Sequence, residues 1–177
     1  KKTVALILGG ASSEHEVSVN SAKNIYNAID KNKYDVLLVA ITKQGTWFRI
    51  SPAELNTYPA FSDQNMSSSD PVVLASYFGQ PMLVSFQTQH KQKVDCVFPI
   101  VHGTNGEDGT LQGLFKLANV PFVGCDVLSS ALCMDKEYMK IVLTEAGIPN
   151  SKYIVLRKNE ILNFDFIQKN LGLPFFI

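Results

Sequence analysis

The sequence predicts an α/β fold, an open and mostly parallel sheet with helices on both faces. Three observations lead there. Short apolar runs at 3–8, 34–42 and 94–101 alternate with stretches of helical periodicity, the pattern of βαβ units. Glycine-rich loops leave the first and third runs and pass into helical patterns. The chain of 177 residues, 46% hydrophobic and 18% charged, has the make-up of an ordinary globular protein of one domain, or one and part of a second.

Taken in order, Thr3–Leu8 reads as a buried strand closed by a Gly9-Gly10 turn. Two lysines ahead of it resemble a signal-peptide start. The apolar run is short and ends in Gly-Gly rather than a cleavage site, so a strand is the better reading. Ser13 and Glu16 have the spacing of a capping box, and Ser21, Ala22, Ile25, Ala28 and Ile29 make one helical face. Residues 34–42 form a second buried strand, extended by a hairpin turning at Gln44-Gly45. Residues 51–70 mix Pro, Ser, Asp and Asn and read as an irregular surface excursion. Residues 71–87 give a hairpin around Gly79-Gln80-Pro81, and Val94–Val101 is the third buried strand.

Leu111, Leu114, Phe115 and Ala118 then fall at i, i+3, i+4 and i+7, so a helix begins inside the preceding loop. "VPFVG" is a short strand. Asp126 and Asp135 cap two further helices, the second with a face of Met139, Val142, Leu143 and Ala146 and an end at Gly147 and Pro149. Residues 152–156 and 173–177 are expected strands flanking a helix near 163–171, the opening of a second domain.

Charge excludes some functions. Sixteen basic residues balance sixteen acidic ones, which leaves no electrostatic footprint for nucleic acid or an anionic membrane. No apolar run approaches the ~20 residues that span a bilayer. Cys96, Cys125 and Cys133 lack metal-type spacing and have apolar neighbours, so buried free thiols in a reducing cytoplasm are expected.

In open α/β sheets, ligands bind beyond the carboxyl ends of the strands. Two loops take that position: "GGASSEHEVS" after the first strand and "HGTNGEDGTLQG" after the third. Neither carries a dinucleotide or P-loop glycine pattern. Each leads to a helix N-terminus, which favours anions, yet Glu14, Glu16, Glu107 and Asp108 would repel a phosphate. Glu16 fits a capping role. The surplus fits an ammonium group or a histidine to be oriented, and His102 lies close to Glu107 in sequence. The combination points to a small zwitterion. Taken singly, Glu14 also reads as a helix-dipole residue, His102 as structural, Lys136 as a solvated helix residue, and Trp47 and Phe48 as core or interface.

"GGASSEHEVSVNSA", "HGTNGEDGTLQG", "PFVGCDVLSSALCMDK" and "GIPNSKYIVL" together resemble the D-alanine–D-alanine ligase family of ATP-grasp enzymes. The second stretch fits the family pattern H-G-x-x-G-E-D-G-x-x-Q-G at every fixed position. The resemblance implies a Rossmann-like preATP-grasp domain over residues 1–124, connecting helices over 125–147 and the beginning of an ATP-grasp central domain over 148–177. It implies ATP-dependent joining of two D-alanines through an acyl phosphate, for peptidoglycan synthesis. ATP and Mg²⁺ (or Mn²⁺) are implied as cofactors, bound mainly by residues beyond Ile177, in a cytoplasmic enzyme.

By position, Glu14 matches the residue that receives the ammonium of the first D-alanine. His102 matches the histidine lining the same subsite, and Glu107 the acid supporting that histidine. Lys136 matches a lysine reaching an ATP phosphate. A homodimer is a further expectation, with Trp47 and Phe48 exposed on their hairpin. Family members continue past a "GLPFFI"-type strand, so these residues are expected to be an N-terminal part, inactive alone. D-alanine–D-lactate ligase shares the motifs. A non-catalytic amino-acid-binding module, or a structural partner docking through "LPFFI", are the readings from other classes.

Overall fold

The computed structural model describes residues 1–57, 59–66, 69–161 and 163–176. Next to one edge of its sheet, β1 (Lys2–Gly9) lies between β2 (Tyr34–Ile41) and the edge strand β7 (Cys96–Pro99), parallel to both. Beyond β2 the sheet continues antiparallel through β3 (Trp47–Ile50), β4 (Asp70–Tyr77), β5 (Gln80–Ser85) and β6 (Lys91–Lys93). The order is β6-β5-β4-β3-β2-β1-β7. The fold is α/β as expected, but the sheet is mixed rather than mostly parallel. Short turns join β2 to β3, β4 to β5 and β5 to β6, and only antiparallel neighbours can use them.

Alternation along β1 divides the core. Leu6 and Leu8 pack on one face with Val19 and Ala22 of α1 (His15–Ala28), while Ala5 and Ile7 pack on the other with Leu111 and Phe115 of α3 (Thr110–Leu117). Both faces are therefore covered, which is why the strand reads as a continuous apolar run. The expected "VPFVG" strand contracts to one parallel bridge, Val97 to Phe122.

Several local expectations fail for identifiable reasons. The Ser13–Glu16 capping box does not form: α1 begins at His15, with Glu14 at its N-cap and no side-chain cap. Glu16 instead meets Lys43 at 2.5 Å. The buried face of α1 is His15, Ser18, Val19 and Ala22, nearer the N-terminus than predicted, and Ala28 is exposed.

The supposed excursion after residue 50 begins with α2 (Pro52–Thr57) and sends Leu55, Phe61 and Met66 into the core. Here a capping box does form. Glu54 Oε2 accepts from the Ser51 N–H at 2.7 Å, and Ser51 Oγ accepts from the Glu54 N–H at 3.2 Å. Pro52 in the first helical position fits the same start. Three anchors without a regular period were hidden by polar neighbours.

The thiols are less buried than predicted, with Cys125 and Cys133 exposed and Cys96 half-buried, and none of the three forms a disulfide with a described residue. Burial, and then the charge of Asp95, push the Cys96 thiol up. Phe48 is buried and Trp47 half-buried against the core, so this hairpin does not offer the exposed aromatic pair expected of a dimer surface.

The chain divides into two compact units, residues 1–134 and 135–177. The first ends with α4 (Val127–Met134), where Asp126 Oδ1 accepts from the Ser129 N–H at 2.9 Å. The second holds α5 (Lys136–Glu145), capped by Asp135, and α6 (Phe164–Leu171). The apolar face expected of α5 is not buried, while α6 buries Ile167. No strand forms over 152–156 or 173–176, because neither segment has a ladder partner among the described residues. Ile177, the end of the second expected strand, lies outside them.

Candidate active site

Because β1 and β7 are parallel neighbours, the loops that follow them emerge at the same edge of the sheet. Ser12 joins the two loops. Its Oγ donates to the His102 carbonyl at 2.8 Å and accepts from the Glu14 N–H at 3.2 Å. Glu14 then leans against Gly103: a Cβ on that glycine would lie 3.1 Å from Glu14 Oε2 and 3.0 Å from Ser12 Cβ. Gly103 also has φ +70, so a side chain there would be strained twice over.

Glu107 reaches the same glycine from the other side. Its Oε2 accepts from the Gly103 N–H at 2.8 Å, and its Oε1 lies 3.8 Å from His102 Nδ1. Sequence reasoning paired His102 with Glu107, and the structure brings them together with Glu14. The Glu107 side chain is 53% exposed and the His102 side chain 25%. Yet His102 Nε2 is itself buried and has no hydrogen-bonding partner among the described residues. A buried orphan nitrogen is costly unless something completes it, and the other nitrogen of the same ring lies 3.8 Å from the Glu107 carboxylate. The electrostatics favour a cationic group, and the orphan nitrogen offers a further hydrogen bond.

Not every acid in the loop is available. Asp108 accepts from the Asn105 N–H at 2.8 Å and the Thr110 N–H at 3.1 Å, so it folds the loop and satisfies the first N–H of α3. Partial burial raises its carboxyl, but those hydrogen bonds outweigh burial and hold it below the usual range. Glu16 is likewise lowered, first by its hydrogen bond to Lys43. Gln112 secures the loop from α3, its Nε2 donating to the Gly106 carbonyl at 2.9 Å. Lys136 belongs to the second unit, as the first residue of α5.

Two polar residues were missed. Ser12 gives no sequence signal beyond its place among small residues. His15 does give one, since it lies at i, with Ser18, Val19 and Ala22 at i+3, i+4 and i+7 on the buried face of α1.

Residues 3–125 match the family model described as the D-ala D-ala ligase N-terminus. The chain belongs to the D-alanine–D-alanine ligase family. Within that ligase family it is 42% identical to the D-alanine–D-alanine ligase of Oceanobacillus iheyensis, over all of this chain and 50% of that protein. It is 41% identical to D-alanine–D-alanine ligase A of Escherichia coli K12, with the same coverage. The chain thus spans about half the length of the curated ligases it matches. Among solved structures, the D-alanine–D-alanine ligase of Coxiella burnetii superposes with a TM-score of 0.81 at 37% identity, over 97% of this chain and 50% of that one. The VanG D-Ala:D-Ser ligase of Enterococcus faecalis gives 0.75 at 40% identity, over 86% and 44%. A Bacillus anthracis ligase complexed with ATP gives 0.60 at 27% identity, over 96% and 44%.

Proposed function

We propose that the protein containing this chain joins two D-alanines at the expense of ATP, and that the loops after β1 and β7 hold the first D-alanine. The observation that carries this reading is the convergence of Glu14 and the His102–Glu107 pair on Gly103. Glu14 receives the substrate ammonium. His102 lines the same subsite, and Glu107 holds the imidazole and the loop in place. Lys136, from the second unit, binds a phosphate of ATP. The division proposed is a first domain over 1–124, connecting helices over 125–147 and the start of an ATP-binding domain over 148–177.

In the reaction, the carboxylate of the first D-alanine attacks the γ-phosphorus of ATP, releasing ADP and leaving an acyl phosphate. The amine of the second D-alanine attacks the acyl carbon, loses a proton and expels phosphate. A divalent metal such as Mg²⁺ supplies charge neutralisation on the triphosphate. Among the described residues no group of three or more His, Cys, Asp or Glu side chains is disposed to hold a metal, so no metal ligand is proposed there. A cytoplasmic location belongs to this reading, since ATP and D-alanine meet there.

The similarity to a D-Ala:D-Ser ligase supports a second reading, in which another small molecule follows the first D-alanine. The test is D-alanine-dependent phosphate release from ATP by the intact protein, with products compared for D-alanine, D-serine and D-lactate. Release with D-alanine alone and a dipeptide product is expected. No D-alanine-dependent release would sink the proposal. Glu14→Gln is expected to raise the KM for the first D-alanine while sparing that for ATP.

A further inference from the structure

Among the described residues, the proposed roles leave one buried titratable side chain unused. His15 is 0% exposed, and both of its ring nitrogens are engaged. Nδ1 is 2.6 Å from the Gly10 carbonyl oxygen, and Nε2 is 2.8 Å from the Phe61 amide nitrogen. A backbone N–H only donates and a carbonyl only accepts, so Nε2 is the acceptor and the proton sits on Nδ1. The ring also packs beneath the glycine turn, since a Cβ on Gly9 would lie 3.0 Å from His15 Cε1.

Both ends of this bridge are significant. Gly10 begins the loop that carries Ser12 and Glu14, and His15 follows Glu14 directly. The Glu14 carboxylate caps no helix N–H, so the path of the loop, rather than a hydrogen bond of its own to the helix, determines where it points. At the other end, Phe61 is fully buried, and its segment is anchored separately. Asp63 accepts from Thr42 Oγ1 at 2.7 Å and from Thr46 Oγ1 at 3.0 Å. One helical turn on, Ser18 Oγ accepts from the Gly9 N–H at 2.8 Å and donates to the Ile100 carbonyl at 2.5 Å. His15 and Ser18 share a helix face, and together they fix the chain where it leaves β1 and where it approaches His102.

We propose that His15 is a positioning residue of the first-substrate subsite, its neutral imidazole clamping the Gly10 carbonyl to the Phe61 amide and so setting where Glu14 presents its carboxylate. This inference rests on the reading of Glu14 as the ammonium acceptor. A histidine that merely filled the core would, on removal, lower stability and the active fraction without a selective change in substrate KM. The clamp predicts a selective one.

The experiment is steady-state kinetics and thermal melting of the intact ligase as wild type, His15→Asn and His15→Leu. Asn retains a donor near the Nδ1 position and loses the acceptor, while Leu loses both. The expected result is a KM for the first D-alanine raised about tenfold in His15→Leu and less in His15→Asn, with the KM for ATP within about twofold of wild type. A D-alanine KM within about twofold of wild type in both variants overturns the proposal, as does an equal rise in both KM values.

If His15→Leu does not fold, ¹⁵N-histidine NMR of the wild-type ligase decides. A His15 ring protonated on Nδ1 whose signals shift on saturation with D-alanine supports the clamp; the opposite tautomer, an imidazolium or unshifted signals overturn it. Glu14→Gln run in parallel separates the two ideas. An unchanged D-alanine KM there removes the role of Glu14. A KM that responds to Glu14 but not to His15 removes only the clamp.

Discussion

Two glycines of one motif, Gly106 and Gly113, are predicted to respond to alanine in opposite directions. A Cβ on Gly106 would lie 2.3 Å from the Val101 carbonyl oxygen, 2.7 Å from its carbon and 2.8 Å from Val101 Cγ1. Ordinary contact begins near 3.4 Å, so Val101, just beyond β7, or the loop must move by roughly 1 Å. The obstructing atoms are backbone, which no rotamer change can clear, and overpacking of this kind costs about 1–3 kcal/mol. The displaced residue adjoins His102, whose Nδ1 is 3.8 Å from Glu107 Oε1. Under the role proposed for His102 in the first-substrate subsite, a shift of about 1 Å can cost about 10²-fold in rate.

Gly113 lies inside α3 with nothing within 4 Å of an added Cβ, and alanine there should stabilise by about 0.5–1 kcal/mol. The assay is denaturant unfolding of both variants of the intact protein, with kcat/KM for D-alanine ligation. Gly106→Ala should lose stability and fall about 10²-fold in kcat/KM, while Gly113→Ala keeps or gains stability at near wild-type activity. A Gly106→Ala protein as stable as Gly113→Ala, with kcat/KM within about threefold of wild type, would refute the packing argument.

Other outcomes follow from the same geometry. The folded Asp108 carboxyl is held below its unfolded value, so its contribution is present above the ordinary carboxylate range and lost as pH falls through the lowered value. The stability gap between wild type and Asp108→Ala should therefore be open at neutral pH and narrow in acid, read from denaturant midpoints. Ser51→Ala removes the α2 cap and should cost about 0.5–2 kcal/mol in unfolding free energy, although the residue lies in what reads as a surface excursion. A thiol reagent should label Cys125 in the native protein well before Cys96, whose thiol is half-buried and raised, and unfolding should equalise the two. Mass-resolved labelling over time checks this.

The parts of the fold that were legible rest on local chemistry. β1 and β2 are continuous apolar runs because both their faces are covered, and Asp126 and Asp135 cap the helices they precede. The His102–Glu107 pair could be anticipated because Glu107 is near enough in sequence for the intervening glycine loop to fold it back. The capping box was assigned to the wrong place, since S-x-x-E occurs at both Ser13 and Ser51 and only tertiary context chooses between them. At Ser13, α1 starts later so that His15 and Ser18 can enter the core, while Lys43 draws Glu16 to the surface.

The sequence by itself determined the buried strand runs of β1, β2 and β7, the Asp126 and Asp135 caps and an acidic, glycine-rich loop at a strand end, because each depends on neighbours within a turn or two of chain. Only the tertiary structure decided that the two hairpins join through β3 and β4 into one sheet that runs on to β6, and that Phe61 and Met66 belong to the core. It also decided that Ser12 and His15 tie the Glu14 loop to partners 90 and 46 residues away. Those contacts depend on which loops the parallel pairing of β1 with β7 brings to one edge, and on backbone groups that burial obliges to find partners.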